Sequence, residues 1–337
     1  MNIQQAIAQV VERQDLTRQD MQSVMQQIMS GECTDAQIGG LLIALRMKGE
    51  TVSEITAAAA VMASLASHVE IDATNLIDIV GTGGDGTSTF NVSTAASFVA
   101  AGAGCTVAKH GNRGASSPTG TADTLSELGI NIAMTPDRAA AAVSEVGMGF
   151  LFAPTYHPAM RHVGPARKQI GSRTIFNRLG PLCNPASVKH MLLGSAESHL
   201  VRPMAEALQA NGVESAIVVH GHDGMDEMTT TGPTSIASLA SGEITELDVT
   251  PEEFGLSRSP LSALTGGAPA ENAKALAKLL DGEASAYRDI VRLNAGTALV
   301  ISGTANDIVE GLELASESID SGKAKSILMK LAEFSHG

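Results

Sequence analysis

The sequence predicts an α/β protein, with a small N-terminal helical domain joined to a larger α/β domain built on a central, mostly parallel sheet. Three observations lead there. Apolar positions up to about residue 70 repeat at helical spacing between helix-capping signals. From Leu76 onward, short apolar runs alternate with helical segments, the pattern of strands joined by crossover helices. The chain has 337 residues, 44% of them hydrophobic, enough to bury a sizeable core in more than one domain.

Taken in order, Ile3, Ala6, Ile7, Val10 and Val11 share one helical face, and Met21, Val24, Met25, Ile28 and Met29 share another that stops at Gly31. Two capping boxes follow, Thr34-x-x-Gln37 and Thr51-x-x-Glu54, in which each threonine oxygen accepts from the third helical N–H and the longer side chain reaches back. About four short helices therefore precede the first strand. That strand is LIDIV, ending in a glycine cluster; CTVAK, GFLFA, MLLGS and SAIVVHG read as further strands, and STAASFVAA and LVRPMAEALQA as helices between them. Residues 161–185 have the periodicity of neither a strand nor a long helix, and read as a segment returning to the helical region. The expected division is 1–70 and 71–337, without internal repeats or a low-complexity linker.

Composition narrows the functional classes. The opening MNIQQAIAQVVERQD has neither a basic-then-apolar nor an arginine-rich pattern, and reads as folded protein from the first residue. Apolar windows such as Ala57 to Ala66 are too short for a bilayer, so no membrane partner is expected. Cys33, Cys105 and Cys183 lack the spacing of a zinc site or a disulfide framework, which favours a reducing, cytoplasmic location. A net charge of -14 argues against nucleic acid as a partner. Two windows nevertheless lack acids: Gly86 to Ala122, with Lys109 and Arg113, and Val146 to Ala196, with Arg161, Arg167, Lys168, Arg173, Arg178 and Lys189. Basic windows in an acidic chain point to small anionic ligands.

The first strand runs into GTGGDGTSTFNVST, Gly81 to Thr94. The run contains G-x-G-x-x-G, but a dinucleotide site would open its helix at once and place an acid about 20 residues later, where this chain has Lys109 and His110. Glycines admit phosphate oxygens close to backbone N–H groups, so the loop reads as a phosphate cradle; the bland alternative is a tight turn. Lys109 to Ser117 puts two cations, an amide and two hydroxyls at a strand's carboxyl end, where open α/β sheets bind ligands. Asp226 and Glu227, in HDGMDEMT, suit magnesium shared with a hydroxyl and substrate phosphate, against the alternative of a solvated acidic turn. The guanidinium of Arg167 suits a carboxylate clamp, although any one arginine here reads more readily as a surface or ion-pair residue. His157 and His162 are as readily structural, and Pro154, Tyr156 and Pro158 read either as core or as a wall for a flat substrate.

In combination and in order, GTGGDG, FNVST, KHGNR, the double serine, FAPTYHPAM, RTIFNRLGPLCNP and VVHGHDGMDE resemble the anthranilate phosphoribosyltransferases over nearly the whole chain. The resemblance implies the fold shared by nucleoside phosphorylase class II and phosphoribosyltransferase class IV enzymes, usually a homodimer through the helical domain. It implies transfer of the phosphoribosyl group of phosphoribosyl pyrophosphate (PRPP) to anthranilate in tryptophan biosynthesis. By motif, Gly81, Gly84, Asp85, Thr89, Asn91, Val92, Ser93, Thr94, Lys109, His110, Gly111, Asn112, Arg113, Gly114, Ala115, Ser116, Ser117 and Thr121 would hold PRPP. Ser93, Asp226 and Glu227 would hold Mg2+, and Gly81, His110, Asn112 and Arg167 would line the anthranilate path, with no residue assigned as general base. Thr121, Met225 and Pro118 depart from common family residues; Pro118 puts one phosphate contact in doubt. A pyrimidine nucleoside phosphorylase would share the glycine loop but need no metal, and a non-catalytic paralogue would carry a basic nucleic-acid groove.

Overall fold

The computed structural model describes residues 1–114 and 119–337. Four helices come first, α1 (Ile3–Val11), α2 (Arg18–Met29), α3 (Asp35–Lys48) and α4 (Val52–Ser64), with α1 packed on α3 and α2 on α4. Both predicted capping boxes form, at Thr34 with Gln37 and at Thr51 with Glu54. Glu54 does more than cap. Its carboxylate is fully buried and also accepts from the Leu16 backbone N–H at 2.9 Å and from Lys48 Nζ at 2.9 Å, tying the start of α2, the end of α3 and the start of α4 together.

The α/β part runs β1 (Leu76–Gly81), α5 (Val92–Gly102), β2 (Thr106–Gly111), α6 (Thr121–Glu127), α7 (Pro136–Val146) and β3 (Met148–Phe152). Short helices α8 (Ala153–Tyr156), α9 (Gly164–Ile170) and α10 (Phe176–Leu179) precede β4 (His190–Gly194), α11 (Val201–Ala210), β5 (Ser215–Gly221), β6 (Thr234–Ala240) and β7 (Glu243–Val249). Four helices close the chain: α12 (Pro269–Leu280), α13 (Ala286–Ile301), α14 (Ile308–Asp320) and α15 (Lys323–His336). All five strands read from the sequence are present. The strands β6 and β7 were not read: TSIASLA is serine-rich, and β7 is mostly exposed, so neither shows a strong apolar run.

The seven strands lie in the order β3-β2-β1-β4-β5-β6-β7, parallel from β3 to β5 and antiparallel for the last two. After β1 the chain moves outward through β2 and β3 on one side, then returns to place β4 on the other. The order therefore reverses between β1 and β4, and a crevice opens beyond their carboxyl ends, where such sheets bind ligands. Helix α5 packs against β1 and is covered by α13, α14 and α15.

Residues 158–183 form short helical turns, with α9 packed on α3 and α10 on α4. Arg46, in the last turn of α3, donates to Ser172 Oγ at 3.0 Å and to the Arg173 carbonyl. The basic window thus lies between the first four helices and the sheet's carboxyl edge. Its polarity at that junction, with no helix longer than two turns, explains why no single period marks it.

Candidate active site

The β1–β4 crevice is built on two facing glycines. Gly81 ends β1 and pairs in register with Gly194, which ends β4. A Cβ on Gly81 would lie 2.3 Å from Asp226 Oδ2, and one on Gly194 would lie 1.5 Å from the Asp226 carbonyl oxygen. The two missing side chains open a slot that seats Asp226. Its carboxylate then accepts from the Gly83 N–H at 2.7 Å. Gly83, Gly84 and Gly86 have φ of +65°, +70° and +79°, a region that disfavours residues with a Cβ, so the sharp course of the loop depends on them.

This loop carries Asp85 toward the acidic pair. Ligating oxygens of Asp85, Asp226 and Glu227 all lie within 4.8 Å of one another, the only such group among the described residues. Glu227 Oε2 is buried and lacks a hydrogen-bond partner among them. Burial, with Asp85 next in effect, pushes Asp226 up to about 6; burial and the neighbouring Asp226 push Glu227 well above the usual carboxylate range. Converging carboxylates with an unsatisfied oxygen are a donor set for a hard divalent cation. Asp85, read from the sequence as a PRPP contact, is thus one of three carboxylates. Ser93, read as a metal ligand, lies 3.3 Å from Lys109 Nζ.

Lys109 is buried and also donates to the Ile79 carbonyl. Burial lowers it to about 8, opposed by the negative charges of Asp78, Glu227 and Asp226. Beside it, His110 is buried with Nε2 unpartnered, and burial and the neighbouring His157 lower it to about 3, leaving a neutral imidazole. The two rings lie 5.1 Å apart. Asp78, fully buried on β1, accepts from the His110 N–H at 3.2 Å and from Asn184 Nδ2 at 2.8 Å. Neither Asp78 nor Asn184 was singled out in the sequence: an acid inside an apolar strand was the available signal.

At the start of α5, Asn91 Oδ1 accepts from Thr124 at 2.6 Å and from Asn272 at 3.0 Å, which leaves its amide N–H groups as donors without an acceptor among the described residues. The side chains of Val92 and Thr94 are fully buried, and Thr94 Oγ1 lies 3.3 Å from Thr121 Oγ1, so these two shape the loop from below. Thr89 bridges to Thr265. Gly111 leaves room for Phe150, whose ring a Cβ would meet at 2.9 Å. Asn112 and Arg113 are exposed; Arg113 pairs with Asp123 at 2.7 Å, and Asp123 also accepts from Gly114 and Gly120. Asp123 therefore organises this loop, although the sequence offered nothing to mark it. Ala115, Ser116 and Ser117, together with Pro118, lie outside the described residues.

The side chain of Arg167, on α9, has no hydrogen bond or ion pair among the described residues, and its guanidinium sits 5.6 Å from the Phe176 ring centre. The segment from Phe176 reaches His110 through the backbone of Gly180. Tyr156 is buried in the core, its hydroxyl without a partner among the described residues, whereas Pro154 and Pro158 are exposed. His157 is buried and lowered by burial, and His162 packs over Gly31, against α2 rather than the crevice.

The chain matches two family models, the glycosyl transferase family a/b domain over residues 73–325 and the helical bundle domain of the same family over residues 4–66. It is 53% identical to an anthranilate phosphoribosyltransferase of Parvibaculum lavamentivorans, over 98% of this chain and 97% of the relative. To that of Sinorhizobium medicae it is 50% identical, over 98% and 97%. Among solved structures, anthranilate phosphoribosyltransferase from Thermus thermophilus superposes with a TM-score of 0.93 at 42% identity, covering 98% of this chain and 99% of that one. The Saccharomyces cerevisiae enzyme in complex with PRPP and Mg superposes at 0.91 with 28% identity, over 99% and 98%.

Proposed function

Since the chain belongs to the anthranilate phosphoribosyltransferase family, we propose that it transfers the phosphoribosyl group of PRPP to the amine of anthranilate, releasing pyrophosphate, in tryptophan biosynthesis. The observation that carries this reading is the convergence of Asp85, Asp226 and Glu227 beside a glycine loop at the sheet's switch point. Three carboxylates this close, one with an unsatisfied buried oxygen, fit Mg2+, and Ser93, which lies against Lys109 as the acidic pair does, is the hydroxyl assigned to the set by motif. Bound there, the ion would neutralise charge growing on the pyrophosphate oxygens.

The chain's own groups supply the rest. The remaining backbone N–H groups of the glycine loop and those of the start of α5, with Asn91 and Thr89, would bind the diphosphate, and Lys109 would supply a cation beside it. Asn112, Arg113, Gly114 and Thr121 border the same side, with Ala115, Ser116 and Ser117 assigned to PRPP by motif. The aromatic amine attacks C1 of the ribose as the C1–O bond to pyrophosphate breaks, and the nitrogen then gives up a proton. Anthranilate nitrogen has a free lone pair at neutral pH, so no base need prepare it. His110 is poorly suited to that work: a group lowered to about 3 is too weak a base, while a neutral ring with a free Nε2 suits a polar contact to substrate. Arg167, unpaired and stacked on Phe176, is assigned to the anthranilate carboxylate, with Gly81, His110 and Asn112 along its path.

The division into a helical domain of 1–70, extended by the returning segment 161–185, and an α/β domain of 71–337 is part of the same proposal, as are homodimerisation and a cytoplasmic location. Exposed Val11 and Met47 on the helical part, at 62% and 71%, support a covered face there. The three cysteines are free, in keeping with a reducing compartment. No helix among the described residues is long and apolar enough to cross a membrane, and the net charge of -14 disfavours nucleic acid. The decisive experiment follows anthranilate fluorescence in purified protein on adding PRPP. Loss that needs both PRPP and Mg2+ is expected; no loss in folded protein would overturn the assignment and favour a phosphorylase.

A further inference from the structure

The glycine loop is fastened at both ends. At its start the Thr82 N–H donates to the Gly194 carbonyl at 2.9 Å and the Gly83 N–H to Asp226 at 2.7 Å. At its end the Phe90 N–H donates to the Leu264 carbonyl at 3.0 Å and the Gly266 N–H to the Ser88 carbonyl at 2.8 Å. In between, Thr87 and Asp85 bond, among the described residues, to each other or to Thr89. Among the described residues, one hydrogen bond ties the stretch Gly84 to Thr87 to another segment: Arg173 Nη1 to the Gly84 carbonyl, at 2.6 Å.

Arg173 is itself held from the other side. Its carbonyl accepts from Arg46 of α3, and its Nη2 lies 4.0 Å from Glu197, just beyond β4. Glu197 in turn takes both oxygens to Arg178 at 3.1 and 2.9 Å, and Arg178 also pairs with Glu50, in the turn between α3 and α4. A continuous set of hydrogen bonds and ion pairs therefore runs from the first four helices, through the returning segment, to the middle of the loop. A planar guanidinium placed between the Gly84 carbonyl and the Glu197 carboxylate, its Nε buried and without a partner among the described residues, fixes a direction that a single flexible contact would not.

We propose that Arg173 is a positioning residue that holds the centre of the glycine loop against the helical bundle, so that the bundle's placement sets the loop's conformation. Its effect on turnover rests on the reading of the loop as the PRPP site; its effect on loop order does not. With both ends tied, loss of the central tie leaves the fold intact and frees the middle of the loop.

The test uses the full chain as parent, Arg173→Ala, Arg173→Lys and Arg46→Ala. Hydrogen exchange in the ligand-free proteins is expected to be roughly tenfold faster across Gly83 to Thr89 in Arg173→Ala, with β1 and α5 unchanged. Arg173→Lys should restore part of the protection, and Arg46→Ala should shift it in the same direction by less. In steady-state kinetics, Arg173→Ala should raise KM for PRPP about tenfold, leaving KM for anthranilate and kcat within about twofold of the parent. Loop exchange less than about fivefold faster than in the parent would overturn the inference, as would faster exchange spread over the whole sheet. An unchanged PRPP KM with faster loop exchange would overturn the link to substrate binding. A parent that uses no PRPP would instead remove the functional reading, with exchange still deciding the role of Arg173.

Discussion

Replacing Gly81 by alanine probes the site with one carbon atom. The new Cβ would stand 2.3 Å from Asp226 Oδ2 and 2.8 Å from its Cγ. Ordinary contact begins near 3.4 Å, so the carboxylate must withdraw by about 1.1 Å. It cannot turn freely, because the Gly194 slot holds the Asp226 backbone and the Gly83 N–H holds Oδ2. A displacement of about 1 Å in a group that positions reacting atoms can cost on the order of 100-fold in rate. The Gly81→Ala enzyme is therefore expected to lose about 100-fold in kcat at saturating substrates and to need more Mg2+ for half-maximal rate. Overpacking also costs roughly 1–3 kcal/mol of stability, seen as a few degrees in melting temperature. The assay is anthranilate fluorescence loss over a magnesium titration, run in the parent, Gly81→Ala, Asp226→Ala and the double variant. If displacement of Asp226 is the cause, adding Gly81→Ala to Asp226→Ala should change little. Equal losses in both backgrounds, or near-parental activity in Gly81→Ala, would refute the argument.

Arg167→Ala should raise KM for anthranilate about 10- to 100-fold, the worth of a charge-assisted bond of roughly 1.5–3 kcal/mol, with KM for PRPP little changed; equal effects on both substrates would remove the assignment. His110 is lowered to about 3, so the folded protein keeps it neutral while the unfolded chain protonates it below about 6.5. Its stabilising contribution is full above pH 6.5 and falls with pH, by up to about 2.7 kcal/mol between pH 6.5 and 4.5. Asp78 and Asp226, both raised to about 6, act with the opposite sign, so the measurement compares urea midpoints of the parent and His110→Gln: the variant should lose less stability on acidification. Parallel curves would count against a neutral buried His110. Glu54→Ala would leave the Leu16 and Thr51 N–H groups without their acceptor and Lys48 with only Asp15 and the Gly49 carbonyl, costing roughly 2–4 kcal/mol in chemical denaturation, whereas Glu54→Gln should cost less because it keeps an acceptor.

Features that repeat over short distances were legible in the amino-acid order. Apolar spacing and two threonine caps placed the first helices, because a cap and an amphipathic face are made by residues three or four apart. Apolar runs ending in Gly81 and Gly111 placed strands, and the density of glycines, cations and hydroxyls after them marked the ligand side. Features that depend on two distant segments meeting emerge with the packed fold. Gly81 reads locally as a residue that admits phosphate, yet its missing Cβ makes room for Asp226, 145 positions later, with Gly194 supplying the other half of the slot. Asp85 reads as part of a loop and becomes one of three carboxylates only because β1 and β5 leave the sheet on the same side. Asp78, Asn184, Asp123 and Arg173 act through partners that no spacing rule connects. Local pattern fixes an element because its hydrogen bonds close within a few residues; a site is assembled by sheet order and packing, which bring together side chains whose separation along the chain carries no information about their distance in space.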